Sequence, residues 1–260
     1  MTRRKPSEPR ATWSWPLGCL FGLAATVGMV SFDASGAERI CSARSGPTMA
    51  PLVELYTSEG CSSCPPADRW LSALKNRPEV VALAFHVDYW DRLGWKDRFA
   101  SAAYTQRQLQ QQSVNGARFA YTPQVVVNGR DRKDWPRSNG LADGVPASVG
   151  IELVRDGERV IATVSVTGDA GPRLAAYWAL TESGHRTAVK AGENDGATLD
   201  HDFVVRDYRP MPAWDAARGT SQTLGFTLAP TSDATHPRRV NLVVIDAASG
   251  RPLQALALGC

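Results

Sequence analysis

Two cysteines three residues apart, Cys61 and Cys64, are the side chains of this sequence best suited to chemistry. They stand in the stretch Gly60-Cys61-Ser62-Ser63-Cys64-Pro65-Pro66. Thiols at this spacing can close a disulfide without moving the backbone, and a thiolate at the first position can attack another disulfide. The pair follows a strand-like stretch at 52–56. It precedes Ala67, Trp70, Leu71 and Leu74, the spacing of an amphipathic helix face. A helix N-terminus favours an anion through its free N–H groups and its dipole. This setting points to thiol–disulfide exchange, with Gly60 turning the chain sharply and leaving Cys61 accessible. Other readings stay open: an inert structural disulfide, half of a zinc site, or a vestigial pair on a binding protein. The zinc reading lacks a second Cys-x-x-Cys or a His-x-x-x-His partner.

The two prolines modify the expectation. Proline disfavours helical geometry in the residue before it. The helix is therefore expected to begin at Pro65, with Cys64 outside it and Cys61 farther from the dipole. His86 ends a near-continuous apolar run at 80–87, the pattern of a strand buried on both faces. It is a candidate proton shuttle, or a third metal ligand beside Cys61 and Cys64. A hydrogen-bonded structural histidine is an equal alternative. Tyr89, Trp90 and Trp95 are candidates for a substrate groove or simply for core. Asp88 and Asp91 read as caps or ion-pair partners. His185, His201 and His236 lack metal-ligand spacing and are expected in solvent. No phosphate loop, nucleophile elbow or His-Glu-x-x-His occurs.

The elements that must position these residues fall into two patterns. From about 50 to 130, strand-like and helix-like stretches alternate: strands at 52–56, 80–87 and 124–127, helices after 67 and over 99–112. Asn128-Gly129 closes the last strand with a hairpin signal. From about 148 the helical period disappears. Strand-like runs occur at 149–154, 159–166, 174–180, 198–205, 223–228 and 240–245, with Gly-rich turns between them. The expectation is an α/β N-terminal domain over 38–147, a mixed sheet with helical crossovers, followed by an all-β antiparallel sandwich-like domain over 148–260.

Residues 1–37 read as an export signal. Arg3, Arg4, Lys5 and Arg10 precede an almost uncharged apolar stretch at 13–30, and small residues follow at Ala34, Ser35, Gly36 and Ala37. The protein is expected to be periplasmic or secreted, touching a membrane only through this segment. Its removal takes away Cys19 and leaves Cys41, Cys61, Cys64 and Cys260. An exported chain meets an oxidising compartment, so an even count invites pairing. A Cys41–Cys260 bridge would tie the chain ends together and contribute on the order of 5 kcal/mol through chain entropy. Alternatively, one of these two resolves a mixed disulfide at Cys61. With 260 residues, 43% hydrophobic and 21% charged, the chain is no disordered, collagenous or coiled-coil protein. A net charge of +3 gives no nucleic-acid footprint.

The sequence also resembles a known family. Val-Glu-Leu-Tyr-Thr-Ser-Glu-Gly-Cys-Ser-Ser-Cys-Pro-Pro-Ala-Asp (53–68), Phe-His-Val-Asp-Tyr-Trp-Asp (85–91), Leu-Gly-Trp-Lys-Asp (93–97) and Tyr-Thr-Pro-Gln-Val-Val-Val-Asn-Gly (121–129) carry the likeness. Gly192-Glu193-Asn194-Asp195-Gly196 and Val204-Val205-Arg206 extend it. The chain is similar in these motifs to the secreted, thioredoxin-like proteins of the domain of unknown function 1223 family. The resemblance implies a thioredoxin-like fold and export, and supplies no established reaction. By the thioredoxin comparison, Pro123 after Thr122 would be a cis-proline facing the cysteine pair. Unlike classical thioredoxins, this chain has Gly60 where a Trp precedes the first Cys, and Ser62-Ser63 where Gly-Pro would lie between the two.

Three functions follow as expectations. The first is an exported thiol–disulfide oxidoreductase in which Cys61 attacks, Cys64 resolves, Pro123 presents the substrate and His86 moves protons. It would act on a protein or small thiol or disulfide, with no cofactor. The second is a copper- or other metal-binding protein using the same cysteines. The third is a non-catalytic envelope binding module.

Overall fold

A computed structural model describes residues 12–14, 41–137, 141, 144–230 and 235–260. The expected signal segment and its cleavage site lie outside these residues, apart from 12–14. Residues 1–38 and 39–260 form separate units, and every element named below belongs to the second. In chain order these are β1 (Cys41–Arg44), β2 (Leu52–Thr57), α1 (Pro65–Ser72), β3 (Val81–His86), α2 (Ala102–Val114), β4 (Gln124–Val127) and β5 (Arg130–Asp131). There follow β6 (Val149–Asp156), β7 (Arg159–Val166), β8 (Arg173–Glu182), β9 (His185–Ala188), β10 (Thr198–His201), β11 (Val204–Asp215), β12 (Ser221–Thr227), β13 (Arg238–Asp246) and β14 (Pro252–Leu258).

β2 and β3 pair in parallel with Thr57 opposite His86, and β4 lies antiparallel to β2 with Gln124 opposite Tyr56. The ends of β2 and β3 and the start of β4 therefore share one end of the sheet. All six residues of β2 and all six of β3 are buried, as continuous apolar strands require when both faces are covered. Leu71 of α1 packs with Val53, Leu55 and Val125 on one face. Tyr104 of α2 packs with Tyr56 and Phe85 on the other. Each such side chain contributes roughly 1.5–3 kcal/mol by leaving water.

The structure overturns the expected fold class. The chain is mostly β, with 43% strand against 16% helix. It is not a thioredoxin-like α/β domain followed by a separate sandwich. One eight-stranded sheet runs in the order β14-β13-β8-β11-β3-β2-β4-β5 and joins strands from both expected domains. The junction is β11, which pairs antiparallel with β8 and meets β3 in parallel at Val204 opposite Ala84. The Ala84 amide donates to the Phe203 carbonyl at 2.8 Å. A pairing between residues so far apart in sequence leaves no local periodic trace. A second sheet, β1-β6-β7-β12, faces part of the large one across a core containing Ile151, Leu153, Trp178, Phe226 and Leu242.

The 198–205 run is also not one strand. Phe203 has a φ of 56°. This left-handed turn splits the run into β10, paired with β9, and β11 in the large sheet. Cys41 and Cys260 are disulfide-bonded, closing a sequence separation of 219 residues.

Candidate functional site

The chain leaves β2 at Thr57 and turns through 58–60 before the cysteines. The Cys61 amide donates to the Ser58 carbonyl at 3.1 Å, and the Cys64 amide to the Cys61 carbonyl at 3.2 Å. Cys61 and Cys64 are joined in a disulfide, their Cα atoms 5.4 Å apart. Cys64 is the N-cap of α1, whose first two residues are Pro65 and Pro66. Proline suits the first helical position because its missing N–H would be unsatisfied there. The same prolines remove two amides that would otherwise face a thiolate at Cys64. The Ser63 hydroxyl lies 3.4 Å from Cys61 Sγ, so the nearest donor serves the first cysteine.

Cys61 is not accessible as the sequence reading expects. Both cysteines are 0% exposed, whereas Ser62 and Ser63 between them are exposed. Glu193 and Asn194, between β9 and β10, hydrogen-bond to this turn. Glu193 Oε2 accepts from the Ser62 amide at 3.0 Å and from the Ser62 hydroxyl at 2.8 Å. Asn194 Nδ2 donates to the carbonyls of Glu59 at 2.8 Å and Cys61 at 3.0 Å. The sequence reading uses Gly192-Glu193-Asn194 only as part of a family likeness; no spacing rule assigns them to this site.

Behind the disulfide lies a buried group of titratable side chains. His86 Nδ1 donates to Asp97 Oδ2 at 2.7 Å, and the same oxygen accepts from the Glu59 amide at 2.9 Å. Asp97 Oδ1 accepts from the Phe99 amide at 2.9 Å. Trp95 Nε1 donates to Glu59 Oε2 at 2.8 Å, while His201 Nε2 stands 3.4 Å from Glu59 Oε1. The Thr57 hydroxyl donates to Asp68 Oδ2 at 3.2 Å. Burial alone would raise the Asp97 carboxyl, but His86 and the two amides hold it down at about 2. Burial would lower His86, and the Asp97 carboxylate reverses this and raises it. Glu59 is held below its ordinary value against burial, chiefly by His201. Asp68 is raised by burial.

His86 thus sits beside the site as an ion-paired, buried residue. Among the described residues its Nε2 has no hydrogen-bond partner. His201 and His185 are buried too, against the expectation of solvent exposure. His201 turns inward because β10 alternates, with Leu199 and His201 inside and Thr198 and Asp200 outside. Trp90 Nε1 donates to the Thr122 hydroxyl at 2.8 Å. The Trp90 side chain also stands 3.2 Å from where a Cβ on Gly60 would be. Trp90 thereby links the turn before Cys61 to the half-buried Thr122-Pro123 loop, whose peptide bond is cis. Asp88 accepts from the Thr105 hydroxyl at 2.6 Å, and Asp91 accepts from the Asp97 amide at 3.1 Å. Among the described residues, no group of three or more His, Cys, Asp or Glu is placed to hold a metal ion. The metal reading gains no support from the geometry.

Comparison with known proteins agrees with the motif-level likeness. The model of the family described as "Protein of unknown function (DUF1223)" matches residues 52–245. A crystallised protein of Agrobacterium tumefaciens is 26% identical over 82% of this chain and 96% of its own, with a TM-score of 0.65. No curated protein matches. The chain belongs to the DUF1223 family.

Proposed function

We propose that this DUF1223-family protein is exported and that the Cys61–Cys64 bond is its working group, exchanging with thiols or disulfides of a protein or small molecule. One observation carries the reading. The disulfide sits between a strand end and a helix start, with two exposed serines between its cysteines and Glu193 and Asn194 hydrogen-bonded to the same turn. The export part rests on the signal-like N-terminus and on two disulfides, which persist in oxidising compartments.

The chemistry proceeds in two exchanges. A substrate thiolate attacks Cys61 Sγ, forms a mixed disulfide and breaks the bond to Cys64, which leaves as a thiolate and takes up a proton. A second substrate thiolate attacks the substrate sulfur of the mixed disulfide and releases Cys61. Two electrons pass to the protein and a substrate disulfide leaves. The reverse sequence oxidises the protein. The Ser63 hydroxyl stabilises a thiolate at Cys61 as a nearby donor.

The complete burial of both sulfurs favours a second reading, a structural staple that fixes the 58–64 turn. Equilibration of the native protein in thiol redox buffers separates the two. Exchange predicts a potential between roughly −120 and −270 mV, and a staple one below about −300 mV. Trapping of a mixed disulfide with a substrate disulfide in Cys64→Ser, with none in Cys61→Ser, would support Cys61 as the sulfur that exchanges with substrate.

A further inference from the structure

The contact between Glu193 and Ser62 has the form of a filled binding site. Two donors on one residue, a backbone amide and a hydroxyl, converge on a single carboxylate oxygen at 3.0 and 2.8 Å. That residue lies between the two cysteines. Its amide is a fixed donor, since the Cys61 and Cys64 amides on either side are tied into the turn. The carboxylate comes from a residue 131 positions away in sequence, on a segment that belongs to neither β2 nor α1. Both partners are exposed, so their bonds compete with water and exchange readily. These bonds hold the Glu193 carboxyl below its ordinary value. Asn194 adds a second hold on the same turn through the Glu59 and Cys61 carbonyls.

We propose that the Ser62 amide and hydroxyl form an acceptor-binding site for substrate, and that Glu193 occupies it as an internal stand-in. A thiol carrying a carboxylate or peptide carbonyl close to its sulfur displaces Glu193 and makes the same two hydrogen bonds. Its sulfur is then delivered beside Cys61, the residue preceding Ser62. Displacement also frees Glu193 from the turn that carries the buried disulfide. Thiols without such an acceptor gain nothing at Ser62 and reach the sulfur only when the Glu193–Ser62 contact opens by itself. The inference rests on the exchange reading above and adds to it a specificity element. Glu193 and Ser62 select, and Asn194 positions the turn.

The test measures the rate at which the Cys61–Cys64 bond of the full chain opens with two thiols. N-acetylcysteine carries a carboxylate on the carbon next to its thiol-bearing carbon, and ethanethiol carries no acceptor oxygen. Loss of a charge-assisted hydrogen-bond pair predicts opening roughly tenfold faster in Glu193→Ala for both thiols. The vacated site should then raise the ratio of the N-acetylcysteine rate to the ethanethiol rate several-fold. Glu193→Leu keeps the bulk without an acceptor oxygen and should open as fast as Glu193→Ala, whereas a purely bulk effect of the side chain would leave it near wild type. Far-UV circular dichroism checks that the variants are folded. Unchanged rates and an unchanged ratio in folded Glu193→Ala would overturn the inference while leaving exchange intact. A bond that opens in no variant until the protein unfolds would overturn the exchange reading itself.

Discussion

Replacing Asp97 by Asn tests whether the buried charges hold the cysteine turn. Asp97 Oδ2 accepts from His86 Nδ1 and from the Glu59 amide, so an Asn presenting Nδ2 there sets one donor against two others. The Phe99 amide keeps its acceptor, because Asn retains Oδ1. The Asp97 carboxyl lies at about 2 against an ordinary 3.8. That depression stabilises the folded state by about 2 kcal/mol at neutral pH. Leaving the buried Glu59 amide without a partner adds about 1–3 kcal/mol. The sum is about 3–5 kcal/mol, the usual range for breaking a buried pair from one side. The sign with pH follows from the directions. The Asp97 contribution is complete above pH 4 and is lost as pH falls toward 2. The His86 contribution is complete below pH 6.5, its ordinary value, and is lost as pH rises through its raised folded value. Urea unfolding followed by tryptophan fluorescence, repeated from pH 2 to 8, reads both limbs. In Asp97→Asn the stability near pH 6 should drop by about 3–5 kcal/mol, and the loss between pH 4 and 2 should shrink by about 2 kcal/mol. A drop under about 1 kcal/mol, or an acid limb of undiminished size, would refute the account.

Three further outcomes are expected. Replacing both Cys41 and Cys260 by Ser frees a loop spanning a separation of 219 residues, and should lower stability by about 5 kcal/mol and the thermal midpoint by roughly 10 °C or more, read by calorimetry. Arg107→Met strips Glu54 of two donated bonds at 3.0 and 2.9 Å inside the core, and should cost about 3–5 kcal/mol in denaturant unfolding. The double variant with Glu54→Leu should recover most of that loss, because no buried charge is left alone. Gly129→Ala places a Cβ 2.6 Å from Pro252 Cδ at a φ of +75°, and should destabilise by about 2–4 kcal/mol in the same assay.

What the sequence made legible was local. The apolar runs at 52–56 and 80–87, the Asn128-Gly129 turn and the helix start at Pro65 all depend on residues within a few positions of one another. The structure places each close to where its pattern points. What escaped depends on partners far away. β11 runs through Pro210 and Pro212 with two register shifts, so its 12 residues show no alternation to read. β1, β9 and β14 are short or lie near the chain end, and their pairing is set by neighbours. The same division holds at the site. Cys61, Cys64 and His86 announce themselves by type and spacing. Glu59, Asp97, His201, Glu193 and Asn194 do not, because a carboxylate or amide looks like surface until the fold brings another segment over it.

The arrangement around the disulfide makes a physical demand that a simple staple would not. An apolar filling behind the 58–64 turn would be at least as stable as Glu59, Asp68, Asp97, His86 and His201, since buried ion pairs rarely exceed hydrophobic packing in net stability. The buried polar groups instead fix direction. Asp97 holds the Glu59 amide, Trp95 the Glu59 carboxylate, and Asn194 the carbonyls on both sides of Gly60. Hydrogen bonds of this kind allow one backbone path, where apolar contacts would tolerate several. The path they select leaves the Ser62 amide donating outward to Glu193, with both cysteines buried. A turn held rigidly from behind and loosely from the front has its low-energy opening on the solvent side.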